Sequence, residues 1–126
     1  MVAARIPAIT VNMLHQAGVA AGIALKPSTP VESVIPFIER LELVLIMTVE
    51  PGYGGQEFLN YTLPKIKQVR EIADKIRPSL MIEVDGGING KTASLVKNAG
   101  ADVLVSGSYI FGAENMKEAI RKLKEE

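Results

Sequence analysis

The chain has 126 residues, enough for a single domain spanning 1–126 with a real core, since a domain of this size buries roughly two thirds of its unfolded surface. Its 14 basic and 14 acidic residues cancel, which argues against the broad charged surface that nucleic acid or an anionic membrane requires. The absence of cysteine excludes disulfides and thiolate metal ligands and matches a reducing, cytoplasmic compartment.

The N-terminal stretch carries one early arginine and no sustained apolar run. It is read as neither a signal peptide nor a membrane span, which needs ~20 apolar residues. Ile9 and Met13, with Leu14, stand at helical spacing and close on Gly18, a residue suited to the left-handed position after a helix. "VAAGIAL", 19–25, is a short apolar run that suits a strand buried on both faces. Thr29 is placed to cap the next helix, with Pro30 at its first position, Glu32 completing a capping box, and the helix running to about Arg40.

"LVLIMTV", 43–49, is the clearest strand, continuous and rich in β-branched residues. It ends in "EPGYGG". From Tyr61 to about Ile76, the residues Leu63, Ile66, Val69, Ile72, Ala73 and Ile76 trace a helical stripe that Pro78 stops. "LMIEVD", 80–85, is a third strand followed by "GGING"; 91–99 is a helix closed by Gly100; "DVLVS", 102–106, is a fourth strand followed by "GS". "ENMKEAIRKLKEE" is a final amphipathic helix. Four strands alternating with helices require parallel pairing through right-handed crossovers, hence an α/β fold.

Three glycine-bearing loops therefore lie at strand C-terminal ends, the face on which parallel barrels and open sheets bind ligands. Glycine in any one such loop needs no more than a tight turn to explain it. Three on one rim point to an anion site, because backbone amides bind an anion without net positive charge.

In order along the chain, "AGIALKPSTPVE", "MTVEPGYGGQEF", "IEVDGGIN" and "AGADVLVSGSYIF" closely resemble the ribulose-phosphate 3-epimerase family, from about Asn12 to the C-terminus. The resemblance implies a (β/α)8 TIM barrel, of which this chain would supply about four parallel strands, the family's fifth to eighth. It also implies isomerase chemistry of the pentose phosphate pathway: epimerisation at C3 between D-ribulose 5-phosphate and D-xylulose 5-phosphate. One carboxylate removes a proton acidified by the C2 carbonyl, a second returns one to the opposite face, and a divalent cation (zinc, iron, manganese or cobalt) stabilises the enediolate.

By resemblance Asp85 is one of those carboxylates, a substrate contact and a metal ligand. The residues support that placement, since a carboxylate at a buried strand end beside two glycines is costly unless paired, protonated or metal-bound; a turn or capping aspartate is the lesser alternative once the whole motif is counted. Glu83 is read as lying on the other strand face. The family's phosphate contacts fall on Gly52, Tyr53, Gly54 and Gly55, on Gly86 and Gly87, and on Gly107 and Ser108, with Met47 as an apolar cushion that ordinary core filling would equally explain. The resemblance leaves out strands one to four, which in the family carry a serine at the phosphate, the second catalytic aspartate and two metal-binding histidines. The lone His15 matches no motif and is read as a surface or helix-packing residue. The chain is therefore expected to be an incomplete barrel with two unpaired sheet edges and an uncovered inner face including Val44, Ile46 and Val84 or their neighbours, and so to form homo-oligomers. A ketohexose 6-phosphate epimerase and a non-catalytic phosphate-binding half-barrel stand as alternatives.

Overall fold

The computed structural model describes residues 7–52 and 56–125. In them β1 (Gly22–Leu25), β2 (Leu43–Met47), β3 (Met81–Asp85) and β4 (Val103–Val105) form one sheet in the order β1-β2-β3-β4, every neighbouring pair parallel. Helix α1 (Pro7–Gln16) precedes β1. Two 3-10 segments, Val31–Ser33 and Ile35–Arg40, join β1 to β2; α2 (Leu63–Ile76) joins β2 to β3; α3 (Gly90–Ala99) joins β3 to β4; α4 (Ser108–Phe111) and α5 (Met116–Lys124) follow. Strands that stay in sequence order, each followed by a helical crossover, make part of a barrel wall, whereas a doubly wound sheet reverses its order.

The register assigns the two faces. Leu43, Leu45 and Met47 share a row with Met81, Glu83 and Asp85, and Glu83 and Asp85 pair with Val103 and Val105. The alternate residues Val44, Ile46, Ile82 and Val84 are fully buried, in one cluster with Leu25 and with Ile66, Val69, Ala73, Ala93 and Val96 of the helices. Of the two alternatives for the open inner face, Val44, Ile46 and Val84 or their neighbours, the structure selects the neighbours: the three named residues are the core beneath the helices. Met81, 43% exposed, and Val105, 39% exposed, mark the open face. Glu83, contrary to expectation, lies on the same face as Asp85, because residues two apart in a strand point the same way. Nor is β1 buried on both faces, since Ala24 is exposed on the open side.

Other departures have local causes. Thr29 and Glu32 form no capping box; Pro30 precedes a 3-10 turn with no side-chain cap. Pro36 lacks the N–H that an α-helix would direct to Glu32, so the segment winds as two 3-10 pieces. In α1 the buried residue is Val11, with Leu14 against the core, while Met13 is 64% exposed; the side chain of Ile9 lies outside the described residues. Ile76, the last residue of α2, is 48% exposed. Gly18 (φ 75°) and Gly100 (φ 119°) do take up the left-handed positions after α1 and α3.

At the N-terminal end of the sheet Arg70 of α2 binds three elements together. Only 17% of its side chain is exposed. It donates to Gly100 O at 3.1 Å and Leu80 O at 3.4 Å and pairs with Asp102, whose carboxylate also accepts from Ile82 N at 2.9 Å. A Cβ on Gly100 would stand 2.6 Å from Arg70 Cβ, so the glycine admits this approach. Arg70→Met leaves the Leu80 and Gly100 carbonyls and Asp102 without the guanidinium. It is expected to cost about 2–3 kcal/mol, a fall on the order of 10 °C in the thermal midpoint. Calorimetry checks this; a fall below about 2 °C would assign the cluster no role in stability.

Candidate functional site at the strand C-terminal ends

The loops after β2, β3 and β4 converge on a cavity of about 340 Å³ lined by Met47, Glu50, Gly52, Gln56, Asp85, Gly86, Gly87, Ile88, Val105, Ser106, Gly107 and Ser108, among others. The parallel register brings them together, since Met47 pairs with Asp85 and Asp85 with Val105. Of the site residues read from sequence, Met47, Gly52, Asp85, Gly86, Gly87, Gly107 and Ser108 all border this one cavity. Tyr53, Gly54 and Gly55 lie outside the described residues.

The glycines have different reasons to be glycine. Gly86 (φ 132°) and Gly87 (φ 67°) adopt conformations that side chains disfavour. A Cβ on Gly86 would lie 2.5 Å from Val49 Cγ2, and one on Gly87 2.5 Å from Phe58 N. The close approach at these two positions is therefore to the neighbouring chain segment. Gly107 differs: its φ is −108° and an added Cβ would meet nothing within 4 Å, so its missing side chain leaves room in the cavity itself.

Asp85 ends β3 with its carbonyl accepting from Thr48 N at 3.0 Å, which carries the ladder one step past the strand. Its side chain is half-buried, not enclosed, so the desolvation argument for its chemistry is weaker than the sequence implied. Among the described residues no hydrogen bond or ion pair engages its carboxylate. It is thus available to a ligand, as an oxygen donor or a proton acceptor. A metal set needs more than one such donor, and among the described residues no group of three or more His, Asp or Glu side chains could hold an ion. The cation implied by resemblance therefore does not fit these residues by themselves. His15 is far from candidacy: it sits at the opposite end of the sheet, its Nε2 at 2.9 and 3.2 Å from the carboxylate oxygens of Glu42.

Three hydroxyls escaped the sequence reading. Thr48 Oγ1 donates to Gly86 O at 2.6 Å, Thr92 Oγ1 to Gly87 O at 2.8 Å and Ser106 Oγ to Ile88 O at 2.9 Å. Their signal was available as hydroxyl residues flanking each glycine loop. Lys65 of α2 was missed too: its ammonium donates to Lys26 O at 2.8 Å and Pro27 O at 2.9 Å, holding the loop after β1 to the same rim, and burial lowers its pKa.

The Ribulose-phosphate 3 epimerase family model matches residues 2–111. The chain belongs to the ribulose-phosphate 3-epimerase family. Ribulose-phosphate 3-epimerase of Bacillus subtilis (strain 168) is 47% identical over 116 residues, covering 91% of this chain and 54% of that protein. The enzyme of the same name from Schizosaccharomyces pombe is 46% identical over 114 residues, covering 90% and 48%. Among solved structures, 3-hexulose-6-phosphate synthase is similar with a TM-score of 0.39 at 16% identity, covering 93% of this chain and 66% of that one. The chain spans about half the length of the curated relatives it matches. Among the described residues no helix is long and apolar enough to cross a membrane.

Proposed function

We propose that this chain supplies the phosphate grip and one proton-transfer carboxylate for the interconversion of D-ribulose 5-phosphate and D-xylulose 5-phosphate in the cytoplasm, as the C-terminal half of an epimerase barrel. The observation that carries the reading is the placement of an unpartnered Asp85 on the wall of the same cavity as Gly87, Gly107 and Ser108. At about 340 Å³ that cavity is on the scale of a small-molecule site.

The chemistry follows from the two ends of the cavity. Loop amides hold the phosphate and fix the rest of the ketose relative to β3. Asp85 takes the C3 proton, which the C2 carbonyl acidifies; the C–H electron pair moves into the C2–C3 bond and the carbonyl oxygen becomes anionic. Return of a proton to the opposite face inverts C3 and needs a second acid facing Asp85. Glu50 borders the same cavity, but it follows the adjacent strand and so comes from the same wall. That observation favours the second reading, binding without turnover by this chain alone.

Titration of inorganic phosphate and of D-ribulose 5-phosphate into the 126-residue chain, followed by amide resonances, tests the site. Both ligands are expected to shift Gly52, Gly54, Gly55, Gly87, Gly107 and Ser108. Shifts confined to another surface would sink the reading. A ketohexose 6-phosphate that binds more tightly than the pentose phosphate would redirect it to the longer substrate.

A further inference from the structure

Three consecutive carbonyls of the loop after β3 are each held by a hydroxyl from a different element. Gly86 O is held by Thr48, just past β2; Gly87 O by Thr92, in the first turn of α3; Ile88 O by Ser106, just past β4. No cis peptide occurs among the described residues. In a planar trans peptide the carbonyl and the following N–H point in opposite directions. Holding each carbonyl therefore aims the next amide.

The peptide between Ile88 and Asn89 shows which side is which. Its carbonyl goes to Ser106, while its N–H donates to Thr92 Oγ1 at 2.9 Å. Ser106 and Thr92 thus lie on opposite sides of the loop, and Ser106 is the one that borders the strand-end cavity. Because Gly87 O faces Thr92, the N–H of Ile88 faces the Ser106 side, towards the cavity. By the same geometry the N–H of Gly87 points away from Thr48, which is wholly buried and forms no part of the cavity wall.

We propose that Thr48 and Thr92 are positioning residues that preset the amides of Gly87 and Ile88 to donate to a phosphate monoester dianion, while Ser106 turns the following amide, that of Asn89, onto Thr92. The inference rests on the reading of this cavity as a phosphate site. Gly86 and Gly87 lack the side chains that would restrict their peptide planes, so the loop by itself does not choose which way its dipoles point. A flipped peptide would turn a carbonyl oxygen onto the anion. With the hydroxyls in place, each flip also forfeits a hydrogen bond and strands a partly buried polar group, which disfavours the flipped state by roughly tenfold or more.

Inorganic phosphate is titrated into the 126-residue chain and into Thr92→Val, Thr92→Ser, Thr48→Val and Thr48→Ser, reading the Gly87 and Ile88 amide resonances and, separately, the thermal midpoint without phosphate. Thr92→Val and Thr48→Val are expected to weaken phosphate binding by about 5- to 30-fold, with Thr92→Ser and Thr48→Ser restoring it. Hydroxyls with a merely structural role would lower the midpoint and leave the affinity of the folded protein unchanged, which overturns the inference. Wild-type chain whose Gly87 and Ile88 amides ignore phosphate would overturn the phosphate-site reading instead, a separate outcome. Should one valine variant fail to fold, the other decides, because Thr48 and Thr92 hold different carbonyls of the loop.

Discussion

Asp85→Asn, introduced into a complete family barrel carrying this chain's segment, is expected to lower epimerisation by about 10²- to 10⁴-fold, the range for loss of a positioned acid/base group. Asparagine keeps the size of the side chain and an oxygen acceptor but cannot take a proton from carbon. Among the described residues the Asp85 carboxylate holds no structural partner, so its loss leaves no buried group unsatisfied. The thermal midpoint should move little, and phosphate, bound by loop amides, should keep its affinity. Coupled assay of xylulose 5-phosphate, with phosphate titration of the same variant, separates the cases. Activity near the parent level would remove Asp85 from the mechanism; joint loss of activity, phosphate binding and folding would make it a structural residue.

The 126-residue chain by itself is expected to be inactive as an epimerase and to self-associate. Inactivity follows from the second acid that inversion needs, since Asp85 and Glu50 approach from one wall and among the described residues no metal-binding cluster forms. Association follows from the sheet. Strands β1 and β4 end it, each paired on one side only among the described residues, and unpaired edges recruit other strands. Among the described residues, the face carrying Leu43, Leu45, Met47, Met81, Val103 and Val105 has no helix layer, in contrast to the fully buried face behind it. An apolar sheet face of this kind drives oligomerisation or aggregation. Light scattering at several concentrations together with the coupled assay checks both halves. A monodisperse monomer would defeat the edge and face argument, and robust turnover would show that a second acid lies among residues not placed at this cavity.

Much of this was legible in the residues. Alternation of short apolar runs with helical stripes required parallel strands, and with them a rim that gathers "EPGYGG", "GGING" and "GS" whatever the detailed packing. Asp85 beside two glycines at a strand end was visible for the same reason. Which face of the sheet is open was not legible, because Leu43, Val44, Leu45 and Ile46 are all apolar and a continuous apolar run carries no alternation to read; only the seating of Ile66, Val69 and Ala73 on Val44 and Ile46 decided it. The 3-10 course before β2 turned on one missing N–H at Pro36. At Gly86 and Gly87, tertiary structure also changed the reason for glycine, since Val49 and Phe58, 37 and 29 residues earlier in the chain, occupy the space a Cβ would need. The hydroxyl supports of that loop come from three separate elements, and a sequence shows such a convergence only after the chain has folded, because hydrogen-bond partners are selected by distance and angle rather than by order along the chain.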